Sequence, residues 1–177
     1  MDGSKNPWTV WELLPRHRNN VAALTPKNLH DAVVTTIART TRGYAVYTNT
    51  GKSRAVCIAA GPGEIFPDVI LCDPESLIMR HVIEVETESS VAIPDRVPRW
   101  ARIARMCGSF WLLVPPHTLL TAVRLCLNAR ITAQIGTWTA DQAGIVSITW
   151  PRRVPTGFVV TNAPHPRLPA RAEVITS

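Results

Sequence analysis

The sequence predicts an α/β fold, a mixed β-sheet flanked by helices. Stretches with apolar residues at helical spacing alternate along the chain with short runs rich in β-branched and aromatic residues. Their order is a helix, three or four strands, a helix, a strand, a helix and further strands, which is typical of a sheet with helices on its faces. The 177 residues, 46% hydrophobic and 18% charged, suffice for a buried core. We therefore expect one α/β domain over residues 25–150, between an N-terminal arm (1–24) and a Pro/Arg-rich C-terminal tail (151–177).

The first helix is expected to begin after Thr25, which can act as its N-cap, with Pro26 in the first helical position. Gly43 is expected to end it. Its apolar residues recur every four positions and form the stripe that we expect to be buried: Leu29, Val33 and Ile37.

Two turn sequences, at residues 49–51 and 73–76, separate runs of β-forming residues after this helix. They predict four strands, over residues 44–50, 53–60, 67–72 and 78–87.

The second half of the chain alternates between helix and strand. A helix is expected from Pro98 to residue 107, followed by a strand over 109–115 that is apolar enough to be buried on both faces. A further helix (116–130) and two late strands (131–139 and 144–150) complete the domain. Four apolar residues of this last helix are expected to face the core: Leu119, Leu120, Val123 and Leu127.

Charge and composition narrow the class of protein. The formal net charge of +6 favours a polyanionic partner such as nucleic acid. The longest apolar run is broken by two prolines and is too short to cross a bilayer, and the first residues lack the pattern of a signal peptide. We expect a soluble, cytoplasmic protein without membrane association. Its four cysteines have no CxxC spacing and are expected to be buried thiols.

One segment concentrates negative charge in this basic chain, since seven of its thirteen acidic residues lie between Glu64 and Glu88. In "VIEVETE" the apolar residues alternate with Glu84, Glu86 and Glu88, so a strand places the carboxylates together on one face. Asp68 lies on the preceding strand, and whether it shares that face depends on the register. A four-residue loop would pair Asp68 with His81 and separate it from Glu84. A five-residue loop or a bulge would pair it with Val82 and make Glu84 its diagonal neighbour.

If these carboxylates converge, a hard divalent cation such as Mg²⁺ or Mn²⁺ would relieve their repulsion. Such a site in a basic protein suits the hydrolysis of phosphodiester bonds, because the cation polarises the phosphate while the surface holds the nucleic-acid backbone. The simpler alternative is that the three glutamates form the solvated face of an edge strand.

The residues "PD" at Pro67-Asp68, followed by Glu84-Val85-Glu86, resemble the PD-(D/E)XK nuclease superfamily, which has the restriction-endonuclease-like fold. The nearest likeness is to a variant group of bacterial and archaeal proteins in which E-x-E-T stands in place of E-x-K. The similarity spans residues 29–130 and includes a helix with a histidine that ends in "RGYAV", the helix "PRWARIA" and the strand "FWLLVP".

The resemblance implies an α-β-β-β-α-β core and a Mg²⁺-dependent endonuclease that acts on DNA. Nucleases of this fold that cut both strands often work as dimers, so the resemblance is also compatible with a homodimer. It implies that Asp68 and Glu84 are metal ligands. Glu86 stands where the family has a lysine, so it is expected to hold a second metal or orient water, or else to mark a domain that binds nucleic acid without cutting it. His30, on the first helix, corresponds to a position that faces the family's active site, although a histidine on an apolar face is also compatible with a packing role.

Five basic residues are candidates for contacts with phosphate. Arg99, Arg102 and Arg105 fall largely on the polar side of the helix "PRWARIARMC", and Lys52 and Arg54 flank an early turn. Each is equally compatible with a solvated surface. Three readings therefore remain: a nuclease, a nuclease-like module that binds nucleic acid or a protein without catalysis, and a basic structural protein with an acidic edge strand.

Overall fold

The computed structural model describes residues 25–51, 53–59, 63–151 and 174–176. The predicted N-terminal arm (1–24), Lys52 and most of the predicted tail (152–173) lie outside the described residues. In the described part of the chain, no helix combines the length and the apolar character needed to cross a bilayer.

A six-stranded mixed sheet forms the centre of the molecule. Its strands, in the order in which they lie in the sheet, are β1 (Ala45–Thr48), β4 (Val69–Cys72), β5 (Met79–Val85), β6 (Phe110–Val114), β7 (Gln134–Ala140) and β8 (Val146–Thr149). The three strands β5, β6 and β7 are parallel, and the other neighbours in the sheet are antiparallel.

Helices cover both faces of this sheet, and the predicted α/β fold is confirmed. On one face, α1 (Pro26–Thr40) packs Val33, Val34 and Ile37 against Val69 and Ile83. On the other face, α3 (Arg96–Met106) and α4 (Leu119–Asn128) bury Trp100, Ile103 and Cys126 among the apolar side chains of β4, β5 and β6. A short helix α2 (Glu88–Val91) and a 3-10 turn (Pro116–Thr118) lie between these elements.

A second, three-stranded sheet lies beside the first. It consists of β3 (Glu64–Ile65), β2 (Val56–Ala59) and β9 (Val174–Thr176), in that order. The sequence predicted a strand at residues 53–60 but not that it leaves the main sheet. Residues 174–176 of the predicted tail pair antiparallel with β2.

Some element boundaries and one helix face differ from the prediction. Helix α1 ends at Thr40, and Gly43 instead makes the turn into β1 with a φ of +76°. In α4 the buried side chains are Ala122 and Cys126, whereas Leu120 and Leu127 are 70% and 66% exposed. The expectation that these two leucines face the core is wrong, because α4 is apolar around most of its circumference and spacing alone does not fix the buried face.

Candidate functional site

The register of β4 and β5 brings Asp68 and Glu84 together. Val69 pairs with Ile83, so continuing the register by one residue places Asp68 opposite Glu84. The Asp68 backbone N–H donates to Glu84 Oε1 at 3.3 Å. A register shift between Leu71 and Cys72, with a loop over residues 73–78, produces this pairing. It differs by two residues from the second register that the sequence allowed, and it places Asp68 directly opposite Glu84 on the neighbouring strand.

The carboxylates of β5 are buried, not solvated. Ile83 and Val85 pack beneath α1, as the alternation predicted, while Glu84 and Glu86 point to the opposite face with exposures of 0% and 1%. Strand β5 lies inside the sheet between β4 and β6. The alternative of an acidic edge strand facing solvent is therefore wrong.

Arg99 of α3 compensates the buried charge of Glu84. Its Nε donates to Glu84 Oε2 at 2.9 Å and its Nη2 to Glu84 Oε1 at 3.0 Å, which is the bidentate geometry of a guanidinium and an ionised carboxylate. Nη2 also donates to the Phe66 carbonyl at 2.6 Å. Among the described residues no acceptor is bonded to Nη1, and the side chain is 30% exposed.

Burial, and then the charge of Asp68, raise the pKa of Glu84, and the Arg99 guanidinium opposes that rise. Burial acts to lower the pKa of Arg99, but the charge and hydrogen bond of Glu84, with the charges of Asp68 and Glu86, outweigh burial and raise that pKa. The stability of this buried pair therefore depends on the guanidinium staying in place.

His30 connects α1 to Asp68. Its Nε2 lies 3.2 Å from Asp68 Oδ2, and its Nδ1 lies 3.0 Å from Asp31 Oδ1. Asp68 Oδ2 also accepts from the Val85 N–H at 2.8 Å. The Asp31 side chain is 29% exposed and accepts from the Gly51 N–H at 3.0 Å. The structure thus brings together His30, Asp68 and Glu84 of the predicted site and adds Asp31.

This arrangement predicts a protonated His30 at neutral pH. Burial lowers the pKa of His30, but the hydrogen bond and charge of Asp68, and then those of Asp31, outweigh burial and raise the pKa to about 9. Because the folded pKa lies above the unfolded value of 6.5, the resulting stabilisation is complete below about pH 6.5 and is lost as the pH rises through 9. In NMR titration of the metal-free protein, the His30 ring should have a midpoint near 9, well above the ordinary histidine value of 6.5. Asp68→Asn should lower the His30 midpoint, and an unchanged midpoint would contradict the pairing.

Glu86 has a separate set of contacts. Its Oε1 accepts from Trp100 Nε1 at 2.9 Å, its Oε2 accepts from the Ser90 hydroxyl, and Arg96 Nε lies 3.6 Å from Oε2. The Glu86 carbonyl accepts from Trp138 Nε1 at 3.0 Å. These contacts tie β5 to α2, α3 and β7, and they leave the side chain turned towards protein donors. No sequence signal assigned Ser90, Arg96 or Trp138 to this cluster.

The other predicted basic residues are more dispersed. Arg102 Nη2 donates to the Gly63 carbonyl at 2.6 Å, Arg105 is exposed on α3, and the Arg54 guanidinium lies 5.2 Å from the centre of the Phe66 ring. Arg102 and Arg54 therefore lie along the small sheet that adjoins the Arg99–Phe66 contact, and Lys52 lies outside the described residues.

Asp68 and Glu84 offer the hard oxygen donors that Mg²⁺ or Mn²⁺ requires. Across the described ranges, no three His, Cys, Asp or Glu side chains are grouped so as to hold a metal ion. Arg99 already bonds both carboxylate oxygens of Glu84, so a cation held by Asp68 and Glu84 would have to displace it, and Glu86 is bonded to Trp100 and Ser90 instead.

Comparison with protein-family models finds no match to this chain, and searches of curated proteins and of solved structures find none either.

Proposed function

We propose that this chain is a divalent-metal-dependent nuclease that hydrolyses DNA phosphodiester bonds at the Asp68–Glu84 pair. The observation that supports this most directly is the register of β4 and β5, which places Asp68 opposite Glu84 so that the Asp68 N–H donates to Glu84 Oε1. The residues are those of the PD…E-x-E pattern, and the net charge of +6 suits a nucleic-acid substrate.

In this proposal Asp68 and Glu84 would hold Mg²⁺ or Mn²⁺, which would supply Lewis-acid activation of the phosphate and of water. Arg99 moves from Glu84 to the phosphate, for which its partly exposed guanidinium and its Nη1 group are suited. His30 positions Asp68 by donating from Nε2, while its other nitrogen is held by Asp31.

The test is a calorimetric titration with Mn²⁺ combined with a plasmid-nicking assay in Mg²⁺. Wild type should bind the metal and nick the plasmid. In Glu84→Gln and Asp68→Asn both properties should fall by more than the roughly 10–100-fold that loss of an outer-shell partner causes. Glu75→Gln is the matched control, because Glu75 is an exposed carboxylate in the loop between β4 and β5. Nicking that survives in Glu84→Gln would disprove the assignment.

A second candidate is a catalytically silent nuclease-like module that binds nucleic acid or a protein. The bidentate Arg99–Glu84 pair favours it, since a guanidinium already supplies the charge that a metal would bring. This candidate predicts that wild type binds no Mn²⁺ and nicks no DNA in the same assay, while Arg99→Lys leaves both results unchanged.

A further inference from the structure

A cavity of about 420 Å³ opens at the carboxyl ends of the three parallel strands. Residues 87–89 after β5, residues 115–117 after β6 and the end of β7 surround it, together with Leu29 of α1. Its volume lies in the roughly 300–1,000 Å³ range of small-molecule sites. In open α/β sheets the crevice outside the carboxyl ends of the strands is where ligands bind.

The lining of the cavity combines apolar walls with polar groups at its mouth. The walls include Pro115, Pro116 and the small exposed part of Trp138, which is 6% exposed and whose indole is fixed by its hydrogen bond to the Glu86 carbonyl. At the mouth, Glu88 Oε1 lies 3.4 Å from His117 Nε2, with the two side chains 77% and 58% exposed. A ligand that fits this lining is a planar ring with hydrogen-bonding groups on its edge.

The cavity adjoins the candidate site. Leu29 precedes His30 on α1, and Thr87 follows Glu86 directly after β5. Asp68 at the start of β4 lies at the same edge of the sheet, because β4 runs antiparallel to β5. The cavity therefore lies near any nucleotide whose phosphate is bound beside Asp68 and Arg99.

We propose that the cavity receives an unpaired nucleobase, so that the substrate is nucleic acid with a single-stranded or extruded base. This inference rests on the proposed function and names its substrate class. Contact with the proline rings and the exposed part of Trp138 holds the base. The Glu88 carboxylate disfavours a phosphate at the mouth and accepts hydrogen bonds from an exocyclic amino group, as glutamate does with cytosine N4. Bases that carry such a group are therefore preferred over thymine.

The test is fluorescence anisotropy of labelled oligo-dC and oligo-dT, each about twelve nucleotides long, in EDTA. Wild type should bind oligo-dC more tightly than oligo-dT. Thr139→Trp, which places an indole at the cavity, should weaken oligo-dC binding roughly tenfold. Gln134→Trp is the matched control, since both residues are exposed on β7 and Gln134 lies at its opposite end. Equal affinities of the two tryptophan variants would overturn the inference.

Glu88→Gln provides a second readout that does not depend on core folding, because Glu88 is 77% exposed. It should reduce the difference between oligo-dC and oligo-dT, and an unchanged difference would overturn the role of Glu88. Binding is measured without metal, so loss of the proposed nuclease activity would leave a cavity-dependent affinity intact. Conversely, if wild type nicks the plasmid but Thr139→Trp and Gln134→Trp bind oligo-dC equally well, only the assignment of the cavity would be overturned.

Discussion

Arg99→Met is expected to lower the free energy of unfolding by about 3–5 kcal/mol at neutral pH, because it leaves Glu84 buried without a counter-ion. Glu84 is fully buried, and Arg99 contacts both of its carboxylate oxygens. Methionine retains much of the apolar stem of arginine, so the loss reports on the charge more than on packing. Urea unfolding of the variant and wild type measures the difference.

The double variant Arg99→Met/Glu84→Gln is the control. Its neutral amide can still accept from the Asp68 N–H, so we expect stability to return to within about 1 kcal/mol of wild type. If the loss of stability in the double variant equalled the sum of the losses in the two single variants, a direct interaction between Arg99 and Glu84 would be contradicted.

The loss in Arg99→Met should depend on pH. Without the guanidinium, burial and Asp68 raise the pKa of Glu84 unopposed. A carboxyl group with a raised folded pKa contributes fully below its unfolded value of about 4.3, and that contribution is lost as the pH rises through the folded pKa. The deficit relative to wild type should therefore be smallest near about pH 5 and grow towards about pH 8.

The fold was predictable because the spacing of the apolar residues in each segment indicates the same helix or strand that the structure contains. Helical spacing in α1, continuous apolar residues in β6 and alternation in β5 all describe side chains that the structure buries on the expected faces. The second face of β5 was not predictable from alternation. Glutamates at Glu84 and Glu86 look solvent-facing in a sequence, and only the strands and helices packed around β5 reveal that they are buried.

The residues of the candidate site were predictable in identity but not in their partners. The position of Asp68 beside Glu84 depends on a register shift that no residue pattern in the sequence predicts. Arg99 was assigned to phosphate from its place on the polar side of α3, yet its contacts are with Glu84 and Phe66, far apart from it in sequence. Contacts between residues so far apart in sequence depend on how α3 packs against the sheet.

Glu86→Ala is expected to lower the free energy of unfolding by about 3 kcal/mol, because it leaves the Trp100 N–H buried without its acceptor and leaves the Ser90 hydroxyl only its longer contact with the Thr87 carbonyl. Each unpaired buried polar group costs about 1–3 kcal/mol, and the lost side chain adds a cavity. Glu86→Gln retains a carbonyl oxygen for Trp100 and should lose about 1 kcal/mol or less, measured by the same urea unfolding.

The two variants also separate a structural glutamate from a metal ligand. If Glu86 acts through Trp100 and Ser90, Glu86→Gln keeps wild-type Mn²⁺ affinity and plasmid nicking, because its amide preserves the contacts that hold β5 against α2 and α3. A metal ligand behaves in the opposite way, since an amide is a much weaker donor to a hard cation than a carboxylate. Loss of Mn²⁺ binding in a stably folded Glu86→Gln would therefore return Glu86 to the metal site and require its carboxylate to leave Trp100 when the cation binds.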